Sequence, residues 1–121
     1  MNYSEMVKVL VKPDLDIYES LASGDMHILH MGVGISGEAG ELVDALKKHI
    51  IYRKPLDREN VIEELGDLEF YMEGLRQGLN ITRSETLDAN IKKLGKRYRD
   101  GYSDTAARER ADKTQESKNG S

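Results

Sequence analysis

The chain has 121 residues, 33% of them charged and 38% hydrophobic, with one Phe, no Trp and no Cys. That length suits one domain with a thin core, which oligomerisation is expected to complete. A net charge of −4 and a pI near 5.4 argue against nucleic-acid binding, and the lack of Cys excludes disulfides, thiol catalysis and Cys-based zinc sites.

The opening Met-Asn-Tyr-Ser-Glu lacks the basic-then-apolar pattern of a signal peptide, and no apolar run reaches membrane length. A soluble cytoplasmic protein without membrane contact is the expectation. Residues 4–11 read as a short helix begun by Ser4, or as a short strand, and Pro13 ends either. Residues 14–22 read as a second short helix or a capped turn. A long helix opens at Asp25 and runs to about His49, with Ile28, Leu29, Met31, Ile35, Leu42, Val43 and Leu46 in helical rather than alternating spacing. Residues 50–58 form a basic connector containing Pro55. Residues 59–79 are the clearest helix, with Val61, Ile62, Leu65, Leu68, Tyr71, Met72 and Leu75 as its buried face and Gly78 and Asn80 as its end. Thr82 and Glu85 have capping-box spacing and begin a last helix to about Arg99, stopped by Gly101. Residues 104–121 hold four acids, four bases and no large apolar residue, the composition of a flexible tail. The predicted fold is all-α and four-helix-bundle-like, one domain over 1–103.

Two carboxylate pairs stand out on the two long helices: Glu38 with Glu41, and Glu64 with Asp67. A spacing of three puts both members of a pair on one helical face. Antiparallel packing of the two helices would bring four acids together, and their mutual repulsion calls for a cation. No Glu precedes His27, His30 or His49 by three residues, so the Glu-x-x-His pattern of di-iron bundles is missing. An all-oxygen donor set favours Mg²⁺, with Mn²⁺ as an alternative. Gly40 and Gly66 sit beside the acids inside helices, where each costs about 1 kcal/mol relative to Ala. They are expected to admit a neighbouring backbone or a ligand. Gly32 to Gly37 spell the dinucleotide fingerprint G-x-G-x-x-G, but no sheet can be assembled around them, so that reading is rejected. If the helix is continuous, His30 falls on one stripe with Glu38 and Glu41. There it contacts substrate or is a partly buried, hydrogen-bonded histidine. In the last helix Asn90, Lys93 and Arg97 follow steps of three and four beside Tyr98, a polar stripe suited to polyphosphate. The cations of the connector, Lys47, Lys48, Arg53 and Lys54, read as solvated surface.

These residues resemble the MazG-like, all-α nucleoside triphosphate pyrophosphohydrolases. The resemblance rests on G-E-A-G-E-L-V-D-A-L-K-K, on E-N-V-I-E-E-L-G-D-L, and on the helix from Asn90 through Tyr98 followed by Gly101, Tyr102 and Ser103. It covers roughly residues 27–103, and phage-encoded members are the most similar in style, which hints at deoxynucleotides. The resemblance implies hydrolysis of a (deoxy)nucleoside triphosphate to monophosphate and pyrophosphate by metal-activated water. It implies that Glu38, Glu41, Glu64 and Asp67 hold Mg²⁺, that Lys93 and Arg97 bind phosphates with Asn90 nearby, and that the protein is a homodimer or homotetramer. Asp44 and Glu63 are outside candidates for a general base. Two alternatives stand beside this reading: a non-catalytic helical module that binds nucleotide or partner, and a phosphoribosyl-ATP pyrophosphohydrolase.

Overall fold

The computed structural model describes residues 1–98, which form five α-helices and, among the described residues, no strand. Helix α1 spans Tyr3–Leu10, α2 Asp14–Ser20, α3 Asp25–Ile50, α4 Arg58–Gly78 and α5 Arg83–Arg97. The expected tail at 104–121, the stop at Gly101 and the Gly101-Tyr102-Ser103 motif lie outside the described residues. None of the described helices is long and apolar enough to cross a membrane.

Side-chain caps explain most of the helix starts. Asn2, rather than Ser4, begins α1: its Oδ1 accepts the Glu5 amide at 2.9 Å while Glu5 Oε2 accepts the Asn2 amide at 3.0 Å. This reciprocal box decides between the helix and strand readings of the segment. Helix α3 follows Gly24, whose φ of 91° suits a residue without Cβ. Asp57 caps α4 by accepting the Asn60 amide at 3.1 Å. Asn80, at φ 56°, turns the chain after α4, as its sequence position predicts.

Helices α3 and α4 form the extended packing interface of the unit Met1–Leu79. They run antiparallel: Gly34 faces Tyr71, Met31 faces Gly74, and His27 faces Gly78, so one number rises as the other falls. Three glycines let the axes approach. A Cβ on Gly34 would run into Cδ1, Cε1 and Cγ of Tyr71, and one on Gly74 would run into Sδ of Met31. A Cβ on Gly78 would stand 2.8 Å from Cδ2 of His27. The His27 ring also donates from Nε2 to the Gly74 carbonyl at 2.9 Å, tying the start of α3 to the end of α4. The glycine fingerprint of residues 32–37 lies inside the uninterrupted helix α3, in line with rejection of a dinucleotide fold.

The predicted apolar faces are only partly covered. Among the described residues Met31 and Ala45 are the buried hydrophobics. Ile28, Ile35, Leu42, Val61, Leu68, Tyr71, Met72 and Leu75 are half-buried, whereas Leu29, Val43, Leu46, Ile62 and Leu65 are exposed. A single neighbouring helix covers a narrow stripe, and these two helices carry wider apolar faces than one contact can bury.

Helix α5 belongs to a second unit that begins at Asn80. Its predicted cap is present: Thr82 Oγ1 accepts the Glu85 amide at 3.0 Å, and Glu85 Oε1 accepts the Thr82 amide at 3.4 Å.

Candidate metal centre

Glu38 comes from α3, and Glu64 and Asp67 from α4. One carboxylate oxygen from each lies within 4.8 Å of the others. The E-x-x-D spacing keeps Glu64 and Asp67 one turn apart, and the glycine-lined seam at Gly34 holds Glu38 opposite them. Glu41 stands outside this group of three. It is exposed, yet near enough for its charge to act on Glu64.

Glu64 is the centre of the cluster. Its Oε2 is shut off from solvent and finds no hydrogen-bond partner among the described residues. Its pKa is raised above the usual carboxylate value. Burial is the largest cause; the Glu38 carboxyl follows, both as a proton-sharing neighbour and as a like charge, and Asp67 and Glu41 add repulsion. Two carboxyl groups can share a hydrogen bond only if one carries a proton. With both ionised, the shielded oxygen of Glu64 is an acceptor without a donor. Such an atom asks for a proton or a cation. A hard divalent ion fits this donor set, because every group offered is a carboxylate oxygen and none is sulfur or imidazole.

The other predicted residues are placed as follows. His30 is exposed, two turns before Glu38, and meets the Tyr71 ring edge-on with centroids 6.2 Å apart. Asp44 is engaged by Lys48 at 3.1 Å, and Glu63 is exposed. Lys47 covers the Tyr52 ring, 5.6 Å from its centroid. On α5, Lys93 and Arg97 are half-buried and Asn90 is exposed. The Arg97 guanidinium lies 6.0 Å from the centroid of the Tyr98 ring, the residue that caps the helix. Gly40 and Gly66 have nothing within 4 Å of the Cβ they lack, so the close neighbour expected there is not found among the described residues. In the sequence Tyr71 is one of the apolar residues of the α4 face. Its role in setting the gap between α3 and α4 was encoded in the glycine opposite it, a pairing that needs the register of the two helices.

Antiparallel helices that gather carboxylates around a shielded acceptor define an all-α protein with an interhelical acidic cluster suited to a cation. The family model of the MazG nucleotide pyrophosphohydrolase domain matches residues 28–101, most of the chain and all four candidate acids. The chain belongs to that family. Neither the comparison with curated proteins nor the comparison with solved structures returned a match.

Proposed function

We propose that the protein hydrolyses (deoxy)nucleoside triphosphates to the monophosphate and pyrophosphate in a Mg²⁺-dependent reaction. One observation carries the proposal: within a MazG domain, Glu38, Glu64 and Asp67 converge on the unpartnered Oε2 of Glu64. These three acids, with Glu41 beside them, would hold the metal; Mn²⁺ suits the same oxygens. A bound divalent cation neutralises polyphosphate oxygens and lowers the pKa of an adjacent water. In the reaction, water attacks the α-phosphorus in line, the bond from that phosphorus to the bridging oxygen breaks, and pyrophosphate leaves. We assign phosphate binding to Lys93 and Arg97, with Asn90 on the same stripe and Tyr98 beside it, and substrate contact to His30. Charge-assisted contacts of that type stabilise the developing negative charge.

The exposed apolar residues support assembly of this chain with itself. Val33 and Val43 on α3 are 62% and 61% exposed, and Ile62 on α4 is 52% exposed. A homodimer or homotetramer would cover them, in the cytoplasm and without nucleic acid or membrane as partner.

The eight common ribo- and deoxyribonucleoside triphosphates, with products resolved by ion-exchange chromatography, test the activity. Monophosphate and pyrophosphate are expected in equal amounts, with at least one triphosphate turned over, and EDTA is expected to stop the reaction. Orthophosphate released in successive steps, or no turnover of any of the eight with either metal, would contradict the proposal.

A further inference from the structure

The α3–α4 seam carries a second concavity, toward the start of α3 and the end of α4. It is lined by His27 and Met31 on one side and by Phe70, Glu73, Gly74 and Gln77 on the other, with a volume of about 360 Å³. That lies in the small-ligand range. Its place relative to the acids follows from helix geometry. Met31 precedes Glu38 by seven residues, and Gly74 follows Asp67 by seven. Seven residues are two turns, so the cavity lies on the same side of both helices, about 10 Å along the seam. A nucleoside whose α-phosphate sits at the acids would place its base at that distance.

The lining suits a base. Phe70 is 67% exposed, although it is the chain's one phenylalanine, and its ring is held edge-on by Tyr71 with centroids 5.2 Å apart at 89°. An exposed, oriented aromatic face beside an apolar floor of Met31 and Gly74 is a stacking platform. The rim is polar and fixed. Arg76 Nε donates to Glu73 Oε1 at 2.9 Å, and Gln77 Nε2 donates to Glu73 Oε2 at 3.3 Å. One N–H of the exposed Gln77 amide is thereby held by Glu73, and its carbonyl oxygen Oε1 stands beside the Glu73 carboxylate as a further acceptor. The rim offers oxygen acceptors, which match the donor of an exocyclic amine and repel a keto oxygen.

We propose that this cavity receives the nucleobase, with Phe70 stacking on it and Glu73 and Gln77 selecting a base that carries an exocyclic amine. The inference rests on the nucleoside triphosphate reading above. Cytosine and uracil differ at this edge by amine against keto, so CTP and UTP are the discriminating pair.

Calorimetry on the full chain with Ca²⁺ in place of Mg²⁺ separates binding from turnover. The wild type is expected to bind CTP more tightly than UTP. Phe70→Ala is expected to weaken both by about tenfold, consistent with the loss of one base stack. Glu73→Gln is expected to bring the CTP to UTP ratio close to one, and inorganic tripolyphosphate is expected to bind all three proteins equally. Gln77→Ala, on the exposed rim, is expected to lower the CTP to UTP ratio as Glu73→Gln does, and it keeps the test open if Phe70→Ala does not fold. Equal wild-type affinity for CTP and UTP, no binding of either, or a loss that extends equally to tripolyphosphate would overturn the assignment. Failure of the hydrolytic reading shows elsewhere: base-selective binding would persist while no pyrophosphate formed with Mg²⁺.

Discussion

Replacing Glu64 with Gln is expected to cut turnover severely while making the metal-free protein more stable. The two effects have one origin. In the folded chain the Glu64 pKa is raised, first by burial and then by Glu38, Asp67 and Glu41. The folded state therefore holds its proton more tightly than the unfolded chain does. By linkage, the favourable contribution of this group is fully present below the ordinary value of 4.5 and is lost as pH rises through the raised one. At neutral pH the ionised side chain costs the fold stability, and the neutral amide of Gln removes that cost. Thermal melts in EDTA should show Glu64→Gln above the wild type at pH 7 and the difference shrinking toward pH 4. Added Mg²⁺ should raise the wild-type melting temperature and leave the variant nearly unmoved, because ligand binding to the folded state alone stabilises it. Turnover in the variant should fall by about 10²-fold or more, the scale of losing a metal's stabilisation of charge in the transition state. A variant as active as the wild type, or one less stable at pH 7 without metal, would contradict the role given to Glu64.

Gly34→Ala is the second large effect. In an ordinary helix this change favours the helix by about 1 kcal/mol. Here the new methyl group meets Cγ as well as Cδ1 and Cε1 of Tyr71. Cγ lies near the α4 backbone, so rotation of the ring cannot clear the clash and the helices must part. Overpacking of this kind costs about 1–3 kcal/mol. Gly66→Ala is the matched control, since nothing among the described residues lies within 4 Å of its missing Cβ. Melting temperatures should rank Gly66→Ala at or above the wild type and Gly34→Ala below it. Activity should fall with Gly34→Ala as well, because the seam that positions Glu38 against Glu64 and Asp67 is widened one turn away. Equal melting temperatures for the wild type and Gly34→Ala would remove the basis for the close approach.

Much of this architecture was legible in the sequence. The periodicity of residues 25–49 and 59–79 marks α3 and α4, and Thr82 with Glu85 marks the start of α5. Antiparallel pairing brings the two acidic pairs to one seam, but that Glu38 and not Glu41 joins Glu64 and Asp67 depends on register. Ser4 was the wrong cap for α1, because Asn2 offers the same hydrogen bond and has Glu5 at the reciprocal position. Ile62 and Leu65 are exposed, although they share the apolar face of α4, for a different reason. Periodicity reports which residues share a face, and it does not say whether the same chain supplies what covers that face. Tyr71 and the cavity at Phe70 were illegible because they depend on which residue of α3 stands opposite which residue of α4. Local spacing does not carry that register.

The most direct measurement is the fate of oxygen from water. Hydrolysis of a turned-over triphosphate in H₂¹⁸O with Mg²⁺, followed by ³¹P NMR, reports which phosphorus is attacked. The isotope shift is expected on the monophosphate, none on pyrophosphate, and no product when EDTA is present. Label in pyrophosphate or in orthophosphate would contradict attack at the α-phosphorus and with it the proposed reaction.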